Sequence, residues 1–149
     1  MPRLQKRGEM SSVADIPLNK HLGITYQEDS QSLRLPDNPR IRNYFGGVSF
    51  CAQFALAEAA SAQCLFDRLG MDLTADLPTL RSAVTKFFKP TEGLSTAEPV
   101  SLQHTFDEFQ QILDSRRKII TSVVVEVVSE AGIKALEGEF TWLVLRQSS

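Results

Sequence analysis

The sequence predicts an α+β domain in which a curved antiparallel sheet of five or six strands wraps around one long central helix. Three observations predict it. The stretch from about Val48 to Leu69 is apolar on nearly its whole circumference at helical spacing, so it belongs in a core rather than on a surface. Runs rich in β-branched and aromatic residues stand on both sides of it, and only one short amphipathic segment interrupts those that follow. A sheet that buries such a helix must curl around it and cover most of its faces.

The elements follow in order. A short helical turn around Ile16 to Leu22 leads into GITYQED and SLRLP, two alternating runs joined by Asp-Ser-Gln that read as a hairpin. The prolines and glycines of PDNPRIRNYFGG exclude regular structure and deliver the chain to the long helix. That helix, from about Val48 to Leu69, is roughly 33 Å long at 1.5 Å per residue, with Gly70 expected as its C-cap. Its many alanines let other elements approach its axis closely.

After the helix, TLRSAVTKFFKP reads as a strand ended by Pro90, and EPVSLQH as a shorter one. TFDEFQQILDSRRK places Phe106, Phe109, Ile112 and Leu113 at helical spacing behind Thr105 as N-cap. Two long β-rich runs then meet at Glu130-Ala131-Gly132, where glycine supplies the positive φ of a hairpin loop. Phe140 and Trp142 in the last run are expected in the core.

At 149 residues the chain fits one domain, expected from about position 15 to 149 behind an arm of residues 1–14 that reads as disordered. A net charge of −2 offers no basic field for nucleic acid or anionic lipid. The apolar stretch of residues 48–66 carries Ser49, Gln53, Glu58, Ser61 and Gln63, too polar for a membrane span of about 20 residues. No apolar segment follows the basic start, so no secretory signal is expected. Cys51 and Cys64 fall in one helix too far apart to bridge, have no neighbours at metal-ligand spacing, and read as buried free thiols. A cytoplasmic protein without metal or cofactor is expected. The sheet's outer face and edges remain to be covered, which predicts a homodimer or homotetramer.

Asn43, Gly46, Leu56 and Glu58 stand in register, without a gap, with a motif that runs Asn, two residues, Gly, two residues, His-Gly-Gly, four residues, Leu, one residue, Asp or Glu. In this, and in the order of elements from about Ile16 to Arg146, the chain resembles the hotdog-fold PaaI-like acyl-CoA thioesterases and the hotdog group known as domain of unknown function 4442. The resemblance implies a thioesterase acting on an acyl-CoA or related acyl thioester at a dimer-interface site, with the acid from one subunit and the Asn loop and helix start from the other. It implies that Asn43 orients the attacking water or the carbonyl, and that Gly46, Gly47 and the helix start bind substrate. The sequence departs from the motif at one place, where Ser49, Phe50 and Cys51 stand for His-Gly-Gly.

The residues themselves carry a chemistry. An ionised carboxylate in so apolar a helix costs several kcal/mol unless paired, and the same burial raises its pKa toward the range of a working base. Glu58 therefore reads either as general base or nucleophile, or as the partner of an arginine such as Arg40 or Arg42 across a dimer interface. The helix start at Ser49, Phe50 and Cys51 offers unsatisfied N–H groups and the positive end of a dipole to an oxygen gaining charge. Ser49 reads equally as a plain N-cap, and Asn43 as a turn-former. Nine residues separate Ser49 from Glu58, which puts them on opposite sides of the helix. The alternative function is a non-catalytic hotdog module that binds an acyl group or serves as an assembly unit; a hotdog dehydratase ranks below it, because its His-plus-acid pairing is missing at the helix.

Overall fold

A computed structural model describes residues 10–148. Its elements are α1 (Pro17–Leu22), β1 (Thr25–Gln27), β2 (Ser32–Leu35), α2 (Phe50–Asp67), β3 (Asp76–Phe87), β4 (Ser95–Leu102), α3 (Phe106–Arg116), β5 (Lys118–Ser129) and β6 (Lys134–Arg146). The strands form one antiparallel six-stranded sheet in the order β1-β2-β4-β5-β6-β3, with α2 packed against it.

The core is the interface predicted. Leu56, Ala57, Ala59, Ala60, Cys64 and Leu65 of α2 are buried with Leu33, Leu35, Ala97, Val123, Val125, Val127, Phe140 and Trp142 of the sheet. Each large side chain removed from water contributes about 1.5–3 kcal/mol. Along β5 the residues Ile119, Thr121, Val123, Val125 and Val127 are buried while their neighbours face outward, the period of two that made this strand readable. At the far end Arg146 grips the fully buried Asp76 with two parallel bonds, Nε–Oδ1 at 2.8 Å and Nη2–Oδ2 at 3.0 Å, and reaches Asp114 of α3.

Some boundaries differ from expectation. Val48 is not helical: it forms a bridge with Arg42 and its N–H donates to the Thr91 carbonyl, so α2 starts at Phe50. The helix stops at Asp67 with Arg68 as C-cap, and Gly70 turns the chain beyond it. Phe106 is half exposed rather than core, leaving Phe109 and Leu113 to anchor α3 behind its Thr105–Glu108 capping box.

The folded part also begins before position 15. Val13 is buried in a 3-10 turn, Val13–Asp15, and its N–H donates to Gln63 Oε1 at 2.9 Å. Residues 1–9 of the expected arm lie outside the described residues. Cys64 is buried as expected, whereas Cys51 is exposed, because it begins a stripe of α2, continued by the half-buried Ala55 and Glu58, that the sheet leaves uncovered. No helix among the described residues is long and apolar enough to cross a membrane.

Candidate active site at the start of the central helix

The loop before α2 is organised by Asn43. Its Oδ1 accepts from the N–H groups of Phe45 and Gly47, both at 3.0 Å, and its backbone N–H donates to the Gly47 carbonyl at 2.8 Å. Nδ2 makes only a 3.5 Å contact with the Val48 carbonyl. Both glycines are required. Gly46 has φ +84°, and a Cβ on Gly47 would stand 2.9 Å from the Thr91 carbonyl oxygen. Thr91 is the buttress from the other side: its carbonyl accepts from Val48, and its Oγ1 accepts from Gln53 Nε2 at 3.0 Å.

The loop delivers Ser49 to the N-cap position, but the Ser49 side chain makes no capping hydrogen bond. The N–H groups of Phe50, Cys51 and Ala52 find no acceptor among the described residues, as expected for a helix start left open. Beside them lies a cavity of about 340 Å³. Ser49, Cys51, Ala52 and Ala55 line one wall, Leu18 and Leu22 of α1 another, and Arg40 and Arg42 the mouth. Arg42 is held by Asp37 through two Nη2 contacts of 3.1 Å, while Arg40 has no ion-pair partner among the described residues. Phe50 turns away from this cavity and packs edge-on against Phe87 of β3, ring centres 5.1 Å apart. Of the two side chains at the motif's glycine positions, only Cys51 narrows the cavity.

Glu58 lies on the same stripe of α2 as Cys51 and Ala55, at the i, i+4, i+7 spacing. It is half-buried, and no hydrogen bond or ion pair engages its carboxylate among the described residues. Burial therefore acts unopposed and pushes its pKa above the ordinary 4.5. Seven residues along the axis amount to about 10 Å, so this carboxylate does not reach a group seated at its own helix start.

No family model and no curated protein matches the sequence. Solved structures do match its fold. A Pseudomonas aeruginosa protein of unknown function, described as a probable thioesterase, is 17% identical and superposes over 91% of each chain with a TM-score of 0.76. A Bacillus halodurans protein solved with CoA is 18% identical over 91% of this chain and 87% of its own, TM-score 0.65. The fold is the hotdog fold. A Staphylococcus aureus thioesterase is 15% identical over 86% of this chain and 98% of its own, TM-score 0.63. It has been solved with a glutamine replaced by alanine, and also with a glutamate fifteen positions further on replaced by alanine. At such identities what is shared is the architecture.

Within this hotdog domain the predicted residues fall into two groups. Asn43, Gly46 and Gly47 build the loop, and Ser49 and Cys51 follow it directly into the cavity wall. Glu58 and Phe50 stand apart from that cavity, one further along α2 and the other against β3. Sequence reasoning missed Thr91, Gln53 and the cavity role of Ala55. A glutamine on an otherwise apolar helix was the available signal for Gln53; nothing local marks Thr91, whose part depends on a contact with residues more than 35 positions away.

Proposed function

We propose that this protein is a thioesterase that hydrolyses an acyl-CoA or related acyl thioester in a site completed by a second copy of the chain. The observation that carries the reading is the Glu58 carboxylate, half-buried, without a partner among the described residues and raised in pKa, on the stripe of α2 that leads from an open helix start. Fifteen residues separate Asn43 from Glu58, the separation of the glutamine and glutamate replaced in the Staphylococcus aureus enzyme. Because Glu58 is about 10 Å from its own helix start, an antiparallel pair of α2 helices is what sets it beside the partner's. β3, a twelve-residue edge strand carrying the exposed Val84 and Phe87, is the natural seam for such a pairing.

In this arrangement Glu58 takes a proton from water as the water oxygen attacks the thioester carbonyl. The N–H groups of Phe50, Cys51 and Ala52 receive the developing oxyanion. The C–S bond then breaks, and the proton passes to the departing thiolate. Asn43 Nδ2 retains a hydrogen for the water or the carbonyl, while its Oδ1 holds the loop. Arg40, unpaired at the cavity mouth, suits the phosphates of a CoA carrier, as does the solution of one structural neighbour with CoA.

The test is hydrolysis of a panel of acyl-CoA thioesters by the purified protein and by Glu58→Ala. Turnover by the former and its loss in a variant with an unchanged circular dichroism spectrum are expected. Inactivity of the wild type across the panel, or full activity of Glu58→Ala, overturns the proposal. The replacement of His-Gly-Gly by Ser49, Phe50 and Cys51 favours the alternative of a non-catalytic acyl-binding or assembly module. Calorimetric binding of acyl-CoA without turnover decides for it.

A further inference from the structure

A second cavity lies at the N-terminal end of β5. The last pair joining β4 to β5 is Leu102 with Val123, yet β5 runs back to Lys118, which pairs with Leu145 of β6. Ser122 is still held by Gln103, whose N–H donates to its carbonyl at 3.0 Å, but residues 118–120 run on with β6 alone as a strand neighbour, and Ile112 and Arg116 of α3 stand by the space beside them. The space left is about 510 Å³, within the range of small-molecule sites. It shares no lining residue with the cavity at the helix start, and α2 contributes nothing to it.

Its lining is of two kinds. Ile112, Ile120, Leu143 and Leu145 give an apolar floor, and Ile120 is 49% exposed although it stands in the middle of the sheet. Around that floor stand Arg81, Arg116 and Lys118, from β3, α3 and β5, together with His104, which is tied to Thr121 Oγ1 at 2.8 Å. No carboxylate among the described residues lines the cavity. None of the three cations has a side-chain ion pair or hydrogen bond among the described residues. Three like charges brought together without a counter-charge repel one another, and an anion seated among them relieves that repulsion.

We infer that this cavity binds an amphipathic anion, with its apolar body on Ile120, Leu143 and Leu145 and a carboxylate or phosphate head among Arg81, Arg116 and Lys118. Guanidinium groups hold either head in a two-pronged fashion, and the ammonium of Lys118 adds a point charge. A neutral molecule of the same shape has no use for the three cations. The inference does not rest on the thioesterase reading, since no residue of the proposed catalytic set is involved.

Titration of the ¹⁵N-labelled protein with octanoate, octyl phosphate and octan-1-ol tests it, with inorganic phosphate as a probe of the head alone. Saturable shifts at Ile120, Leu143 and Leu145 are expected with octanoate, octyl phosphate or both, and the two titrations tell the head groups apart. Octan-1-ol is expected to bind about ten-fold more weakly or worse, and the R81Q/R116Q/K118Q variant to lose about ten-fold in affinity with its melting temperature unchanged. Equal binding of the alcohol, shifts confined to residues 49–55, or indifference to the triple variant overturns the inference. So does a triple variant that changes the sedimentation of the ligand-free protein, which marks the face as a contact between copies.

Discussion

Trp142 donates its indole N–H to Ser61 Oγ at 2.9 Å, and Ser61 donates its own hydroxyl to the backbone carbonyl of Glu58 at 2.7 Å. The relay joins the middle of β6 to the turn of α2 that carries the candidate acid. Both side chains are buried, so deleting the serine leaves the indole N–H without a partner or water, whereas deleting the indole leaves Ser61 its bond to the Glu58 carbonyl. Ser61→Ala is expected to lower stability by about 1–3 kcal/mol, read as a shift of the urea midpoint at constant slope. Adding Trp142→Phe to it should cost less than the sum of the two single changes, because both remove the same bond.

What the sequence made legible, and what it did not, divides along physical lines. The strands of the last hairpin and the largely apolar α2 were readable because period and composition are local properties, and Glu58 stood out as a charge in the middle of α2, whose other charge, Asp67, closes it. Thr105 as N-cap, ahead of Phe106, Phe109, Ile112 and Leu113 at helical spacing, announced α3 for the same reason. The place of β3 was not readable: it leaves α2 directly yet pairs with β6 at the sheet edge, and its Asp76 finds Arg146 seventy residues later. The exposure of Cys51 was missed because an apolar periphery does not say which side of a helix the sheet leaves uncovered.

The loop before α2 makes a different demand on its two glycines. Gly46→Ala keeps the space around it free but forces a side chain onto φ +84°, while Gly47→Ala has an ordinary φ and drives its methyl against the Thr91 carbonyl. Both variants are expected to lose more than about 1 kcal/mol of stability, since neither strain can be relieved by a side-chain rotation. They should separate in amide exchange. Gly47→Ala weakens protection of the Val48 N–H, which donates to Thr91, whereas Gly46→Ala leaves that bond in place.

The two cysteines should report the fold through their reactivity. Cys51 is exposed on the cavity wall, whereas burial of Cys64 pushes its thiol up to about 12, where almost no thiolate exists at neutral pH. In the native protein iodoacetamide is expected to modify Cys51 alone, with Cys64 reacting only in denaturant, as counted by mass spectrometry. A Cys51 adduct fills part of the cavity and should abolish thioester turnover, while Cys51→Ser retains it. Loss of turnover in Cys51→Ser would instead assign the thiol a direct part in the chemistry.

The carboxyl of Glu58 ties stability and activity to pH with opposite signs. Burial without a partner raises its folded pKa above 4.5, so the native state keeps a proton that the unfolded chain has already released. Below the unfolded value both states are protonated and the group costs nothing. As pH rises from there through the folded value, the native state binds more protons than the unfolded one, and stability falls. Glu58→Gln removes that loss. Urea midpoints of the two proteins should therefore keep one offset in acid, then diverge in favour of the variant across the window above 4.5, and run parallel again once the folded carboxyl has ionised. Hydrolysis needs the ionised form, so wild-type turnover should climb through the same window while Glu58→Gln stays inactive at every pH. Midpoints that never diverge would mean that Glu58 is ionised in a pair, such as with Arg40 of a second copy, and would count against its role as the base.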